Sequence, residues 1–169
     1  MVEPTRTDAA RIQRRRETLD ANVFSRLPAL YAASRVQGRK LLEAGGGLSI
    51  VEWRTLWDLY QAGPMSIRDL AYVQRSDHSL LSRALPEMRR KGYITLARDA
   101  DDGRQMIVAL TDCGRQAYER AAPIMQRRRD ALRERFTTEE IEAFIVFADR
   151  LDEFLHMSAG QLLEGELNT

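Results

Sequence analysis

The hydrophobic period of this chain switches from helical to a strict alternation near residue 94 and back again near residue 111, which confines it to a small group of folds. Ile94 and Leu96 alternate with Thr95 and Ala97, and Met106, Val108 and Leu110 alternate with Ile107 and Ala109. The polar stretch from Asp99 to Arg104 separates the two runs, so the spacing predicts a hairpin with a long charged tip. Everything else with a period reads as helix. The fold class is therefore mostly α with one small β-hairpin.

Four helical segments precede the hairpin. Val23, Leu27, Leu30, Tyr31 and Ser34 share one face of the first, which ends at Gly45-Gly46-Gly47. Ser49 and Glu52 have capping-box spacing and open a second, whose stripe is Trp53, Leu56, Trp57 and Tyr60. Gly63-Pro64 breaks it. Ser66 and Asp69 open a short third helix through Ile67, Leu70, Ala71 and Val73. After a turn at Gln74-Arg75, Ser76 or Asp77 caps a fourth, whose inner face is Leu81, Ala84, Leu85 and Met88. Gly92 terminates it behind Arg89-Arg90-Lys91, cations suited to the negative end of a helix dipole.

Beyond the hairpin, Thr111 caps a helix through Tyr118, Ala121, Met125 and Leu132. Thr137 and Glu140 form a further capping box, opening a last helix that shows Ile141, Phe144, Ile145, Ala148, Leu151 and Leu155 on one face. The expected organisation is a flexible basic arm over 1–20, a dimerisation helix over 21–47, a winged core over 48–110 and C-terminal dimerisation helices over 111–169.

Two short helices joined by a tight turn match a helix-turn-helix unit, whose second helix enters the major groove of duplex DNA. The non-core face of that helix carries His78, Ser79, Ser82, Arg83 and Arg89, all able to donate to phosphates or base edges. A charged hairpin directly after it makes the unit winged, and Arg104 on the tip can reach a minor groove. The net charge is only +1, but residues 1–40 carry nine basic and four acidic side chains, whereas residues 112–169 carry eight and twelve. A basic front against an acidic back suits this reading without requiring it.

The stretch from Leu48 to Gly114 resembles the core of MarR-type transcriptional regulators. The resemblance rests on Met88-Arg89-Arg90-Lys91-Gly92-Tyr93-Ile94, on the wing tip Asp102-Gly103-Arg104, and on the junction Leu110-Thr111-Asp112-Cys113-Gly114. It implies that Arg104 enters the minor groove with Asp102 orienting it, and that Ser79, Ser82 and Arg83 face the major groove. It also implies a homodimer built from the first and last two helices, a pseudo-palindromic operator and release by a small effector. Two residues depart from the pattern: Gly103 stands where an arginine is common, and Pro86 lies inside the reading helix. Proline removes the hydrogen bond to the Ser82 carbonyl, so a kink or freed carbonyl is expected there.

Tyr31, Trp53, Trp57 and Tyr60 are candidates for an effector pocket that takes a small aromatic or other organic molecule, although their spacing equally suits core packing. Cys113 is the single cysteine and reads as a structural thiol in a soluble, cytoplasmic chain. His78 and His156 are far apart and lack paired ligand spacing, so neither a metal site nor a cofactor is expected. With no nucleophile motif or phosphate loop, an enzyme is not expected either. The other reading is a winged-helix module for protein contact, with the basic residues serving solubility.

Overall fold

The computed structural model describes residues 6–75, 78–99 and 103–163, which fall into two units, residues 1–125 and 126–169. The first unit begins with α1 (Arg6–Asp20), inside the segment expected to be a flexible arm. No glycine or proline interrupts that run, and Asp8–Arg11, Gln13–Glu17 and Arg16–Asp20 pair along its surface. It is helical by local propensity, and none of its described side chains is buried.

Asn22 caps α2 (Val23–Ala44) by accepting the Ser25 N–H. The capping box at Ser49 and Glu52 opens α3 (Ile50–Ala62), with both reciprocal bonds formed. Two residues then form β1 (Met65–Ser66), too short for any periodic signal, which pairs Met65 with Val108 and Ser66 with Ile107. Ser66 goes on to cap α4 (Ile67–Gln74). After it come α5 (His78–Arg90), β2 (Ile94–Arg98), β3 (Met106–Leu110) and α6 (Asp112–Arg135). The three strands form an antiparallel sheet in the order β1-β3-β2.

Pro86 does not interrupt α5, which is helical from His78 to Arg90. Leu81, Leu85 and Met88 lie on either side of it and are fully buried, so packing holds the helix across the missing hydrogen bond. The same core takes Leu42, Leu48, Trp53, Leu56, Leu59, Leu70, Ile94 and Val108, which joins α2 through β3 around one apolar centre.

The second unit contains α7 (Thr138–Leu155), opened by the complete capping box of Thr137 and Glu140, and α8 (Ala159–Leu163). The short α8 is absent from the sequence reading, yet its signal is present: Ser158 and Gln161 exchange the two bonds of a cap. No residue of α7 is buried, and Phe144, Ile145, Val146 and Phe147 are all exposed. Among the described residues no helix is long and apolar enough to cross a membrane.

One junction holds the hairpin to the helices. Thr111 donates its N–H to the Tyr93 carbonyl at 3.1 Å and its hydroxyl to the Gly92 carbonyl at 2.6 Å. The same hydroxyl accepts the Gly114 N–H at 3.0 Å, which starts α6. A Cβ on Gly114 would collide with the Tyr93 carbonyl oxygen and lie 2.9 Å from Leu110 Cδ1. Glycine is required there by space. Gly114→Ala should therefore lower stability by about 1–3 kcal/mol. Urea unfolding checks this, and an unchanged midpoint would contradict the close approach.

Candidate nucleic-acid interface

The outward face of α5 carries two rows of side chains at helical spacing. His78, Ser82 and Arg89 form one row, and Ser79, Arg83 and Arg90 the other. Within the first, Ser82 Oγ lies 3.1 Å from His78 Nδ1. Within the second, Arg83 folds back along the helix, donating from Nε to the Ser79 carbonyl at 3.2 Å and from Nη2 to Ser79 Oγ at 3.3 Å. That draws its guanidinium toward the N-terminal end of α5. Arg90 is turned away into a two-pronged pair with Glu87, at 2.8 and 2.6 Å. His78, Ser82, Arg83 and Arg89 are exposed and Ser79 is half-buried.

The end of α4 is fixed by polar contacts. Gln74 is buried and donates from Nε2 to Thr55 Oγ1 at 3.3 Å, while Arg54 donates to the Gln74 carbonyl. Burial pushes the nearby Asp58 carboxyl up, against the Gln74 hydrogen bond and the Arg54 charge that pull it down. Arg75 then ends α4 in the left-handed region, with φ 45°. A non-glycine residue adopts that conformation at some cost, and here both of its flanking helices are anchored in the core.

A single carboxylate ties the start of α3 to the end of α5. Glu52 accepts the Ser49 N–H at 2.7 Å as part of its capping box, and its other oxygen receives Lys91 Nζ at 2.7 Å. The Glu52 side chain is 6% exposed and that of Lys91 37%. Burial pushes the Glu52 carboxyl up, but the hydrogen bonds from Lys91 and Ser49 and the ammonium charge outweigh it and hold the group below its usual 4.5. The sequence reading assigned Glu52 to a cap and Lys91 to a helix dipole, and missed that they meet.

On the wing, Arg98 donates to the Gly103 carbonyl at 3.2 Å and the Asp99 N–H to the Gln105 carbonyl at 3.0 Å. Arg104 is exposed beside this turn. Asp102, expected to orient it, lies outside the described residues, as do the candidate caps Ser76 and Asp77.

The aromatic candidates form a ladder. Trp57 stacks on Trp53 at 6.2 Å between ring centres, Trp53 on Tyr118 at 5.2 Å, and Tyr118 on Tyr60 at 4.3 Å. Arg115 covers Tyr60 at 5.2 Å. Trp53 is buried, whereas Trp57 and Tyr60 are each 37% exposed. Tyr118, read from sequence only as part of a helix face, is the ring that joins the others. Tyr31 meets Arg35 at 5.6 Å and is 66% exposed.

A model of the MarR family matches residues 48–106, the span from the start of α3 through the wing. The winged core is thus similar to a MarR-family domain over that span. The repressor IacR of Pseudomonas putida, described as an HTH-type transcriptional repressor, is 30% identical over 96 residues. That alignment spans 53% of this chain and 57% of the relative, and the curated relatives matched are covered over 54% to 67% of their lengths. In fold, the chain is similar to PcaV of Streptomyces coelicolor, solved with its natural ligand (TM-score 0.69, 18% identity, 80% of this chain and 94% of that one). It is also similar to a mutant MarR from E. coli complexed with operator DNA (TM-score 0.62, 19% identity, 78% and 99%). These two likenesses concern the fold alone.

The Glu52–Lys91 pair gives this core a pH dependence. Because the folded carboxyl titrates below 4.5, its contribution is fully present above that value and is lost as pH falls through the folded one. Glu52→Gln should cost about 1–3 kcal/mol near neutrality. The gap between wild type and variant should close as pH falls below 4.5 and through the folded value. A gap that stays constant with pH in urea titrations would show that the charge does not contribute.

Proposed function

We propose that this chain is a MarR-type transcriptional regulator that binds double-stranded DNA as a homodimer at a pseudo-palindromic operator and leaves it when a small organic effector binds. The observation that carries the reading is the outward face of α5. Two rows of donors lie on a helix whose opposite face is fully buried, and the exposed Arg104 stands on a hairpin anchored to the end of the same helix. Such a unit offers donors to a major groove and an arginine to the neighbouring minor groove. His78, Ser79, Ser82, Arg83 and Arg89 meet the first, and Arg104 meets the second. The E. coli relative complexed with operator DNA shares this fold.

Two faces support the homodimer. Val23, Leu27 and Leu30 on α2 are exposed, as are Phe144, Ile145 and Phe147 on α7. Apolar side chains at that density suit burial against a second copy related by a two-fold axis. The operator is then an inverted repeat with half-sites about 10 bp apart. The effector site is built on the ladder of Trp53, Trp57 and Tyr60, with Tyr31 as a further aromatic wall. The open edges of Trp57 and Tyr60 suit a flat organic molecule, and Arg115 suits an acidic group on it. PcaV is a fold relative solved with a ligand. A DNA-binding role of this kind fits a cytoplasmic protein.

Arginine variants test the reading on duplexes enriched from a random pool. Arg104→Ala should weaken binding across all sequences, since an arginine in a minor groove senses shape and potential. Arg83→Ala should cost about 1–3 kcal/mol and relax the preference at one base position per half-site. Unchanged affinity in both, with circular dichroism intact, would remove the DNA reading.

A further inference from the structure

Leu80 is the one large apolar side chain on α5 that the core does not take. Leu81, Leu85 and Met88 are 0–1% exposed, whereas Leu80, in the first turn, is 46% exposed. Helical spacing puts it beside Arg83, three residues on, and next to Ser79, whose hydroxyl accepts from that arginine. The polar face of α5 therefore carries an apolar flank at the end that would enter the groove first.

We propose that Leu80 is a specificity residue that packs against the 5-methyl group of a thymine; this rests on α5 being the major-groove helix. In the major groove the base edges present donors, acceptors and one apolar group, the thymine methyl. A leucine against any other edge removes water from a polar group and returns no hydrogen bond, which disfavours that base. Leu80 thus selects thymine and rejects cytosine at one position in each half-site. Residues three apart on a helix have Cβ atoms about 5–6 Å apart. Successive bases rise about 3.4 Å along a strand. The thymine therefore lies within about two base pairs of the base that Arg83 contacts.

The test uses the full chain and duplexes that it enriches from a random pool. Each thymine is replaced singly by deoxyuridine, which removes the methyl group and leaves the hydrogen-bonding edge intact. Wild type should lose about fourfold in affinity at one thymine per half-site, the worth of a single buried methyl. That thymine should fall within two base pairs of the position at which Arg83→Ala relaxes preference. Leu80→Ala should bind the two duplexes equally, and Leu80→Met should keep the discrimination. No methyl-sensitive thymine in that window, or full sensitivity retained by Leu80→Ala, would overturn the assignment while leaving DNA binding in place. Failure to enrich any duplex would overturn the DNA reading and this inference together.

Discussion

The geometry of this core depends on the two carbonyls of Gly92 and Tyr93. Thr111 holds both of them, one through its N–H and one through its hydroxyl, and the same hydroxyl starts α6 at Gly114. Gly92 itself turns the chain out of α5 with φ 74°, and the Tyr93 N–H closes the helix by reaching back to the Met88 carbonyl. Four elements meet within a few residues: the end of α5, both strands of the wing and the first turn of α6. Only a residue without Cβ at 114 lets them approach so closely. The helix that would read bases and the hairpin that would reach the next groove are thereby set in one fixed relation.

The Glu52–Lys91 pair acts at the same end of that helix. A capping carboxylate ordinarily satisfies only its own helix. Here its second oxygen faces the ammonium at the end of α5, so the start of α3 and the end of α5 share one charged contact. Gln74 and Thr55 fix the end of α4 through a buried polar contact. Helix α5 is held at its C-terminal end and along its buried face. Pre-setting of this kind reduces the ordering needed on binding.

Local signals in the sequence were informative wherever the structure is decided locally. The capping boxes at Ser49 and Thr137, the break at Gly63 and the inner face Leu81, Leu85 and Met88 all depend on residues a few positions apart. The expected helix-turn-helix and hairpin followed from them. Contacts between distant residues were not legible: Glu52 with Lys91, Gln74 with Thr55, and Tyr118 between Trp53 and Tyr60 leave no periodic trace. Strand β1 was missed because two residues cannot show a period, and the arm over 1–20 proved helical over Arg6–Asp20 because a polar run without breakers carries its own propensity. Of the candidate site, the sequence put His78, Ser79, Ser82, Arg83 and Arg89 on the non-core face of one helix but did not show the way Arg83 is drawn onto Ser79.

If α5 and the wing engage duplex DNA, phosphate neutralisation must accompany every base contact. The most direct measurement is the association constant of the full chain for an enriched duplex as a function of salt, over about 50 to 200 mM. The logarithm of that constant should fall linearly with the logarithm of salt concentration, with a slope of about −5 or steeper, as six or more phosphate contacts require. A slope near zero, or no retention of any duplex at the lowest salt, would contradict the assignment of this surface to DNA.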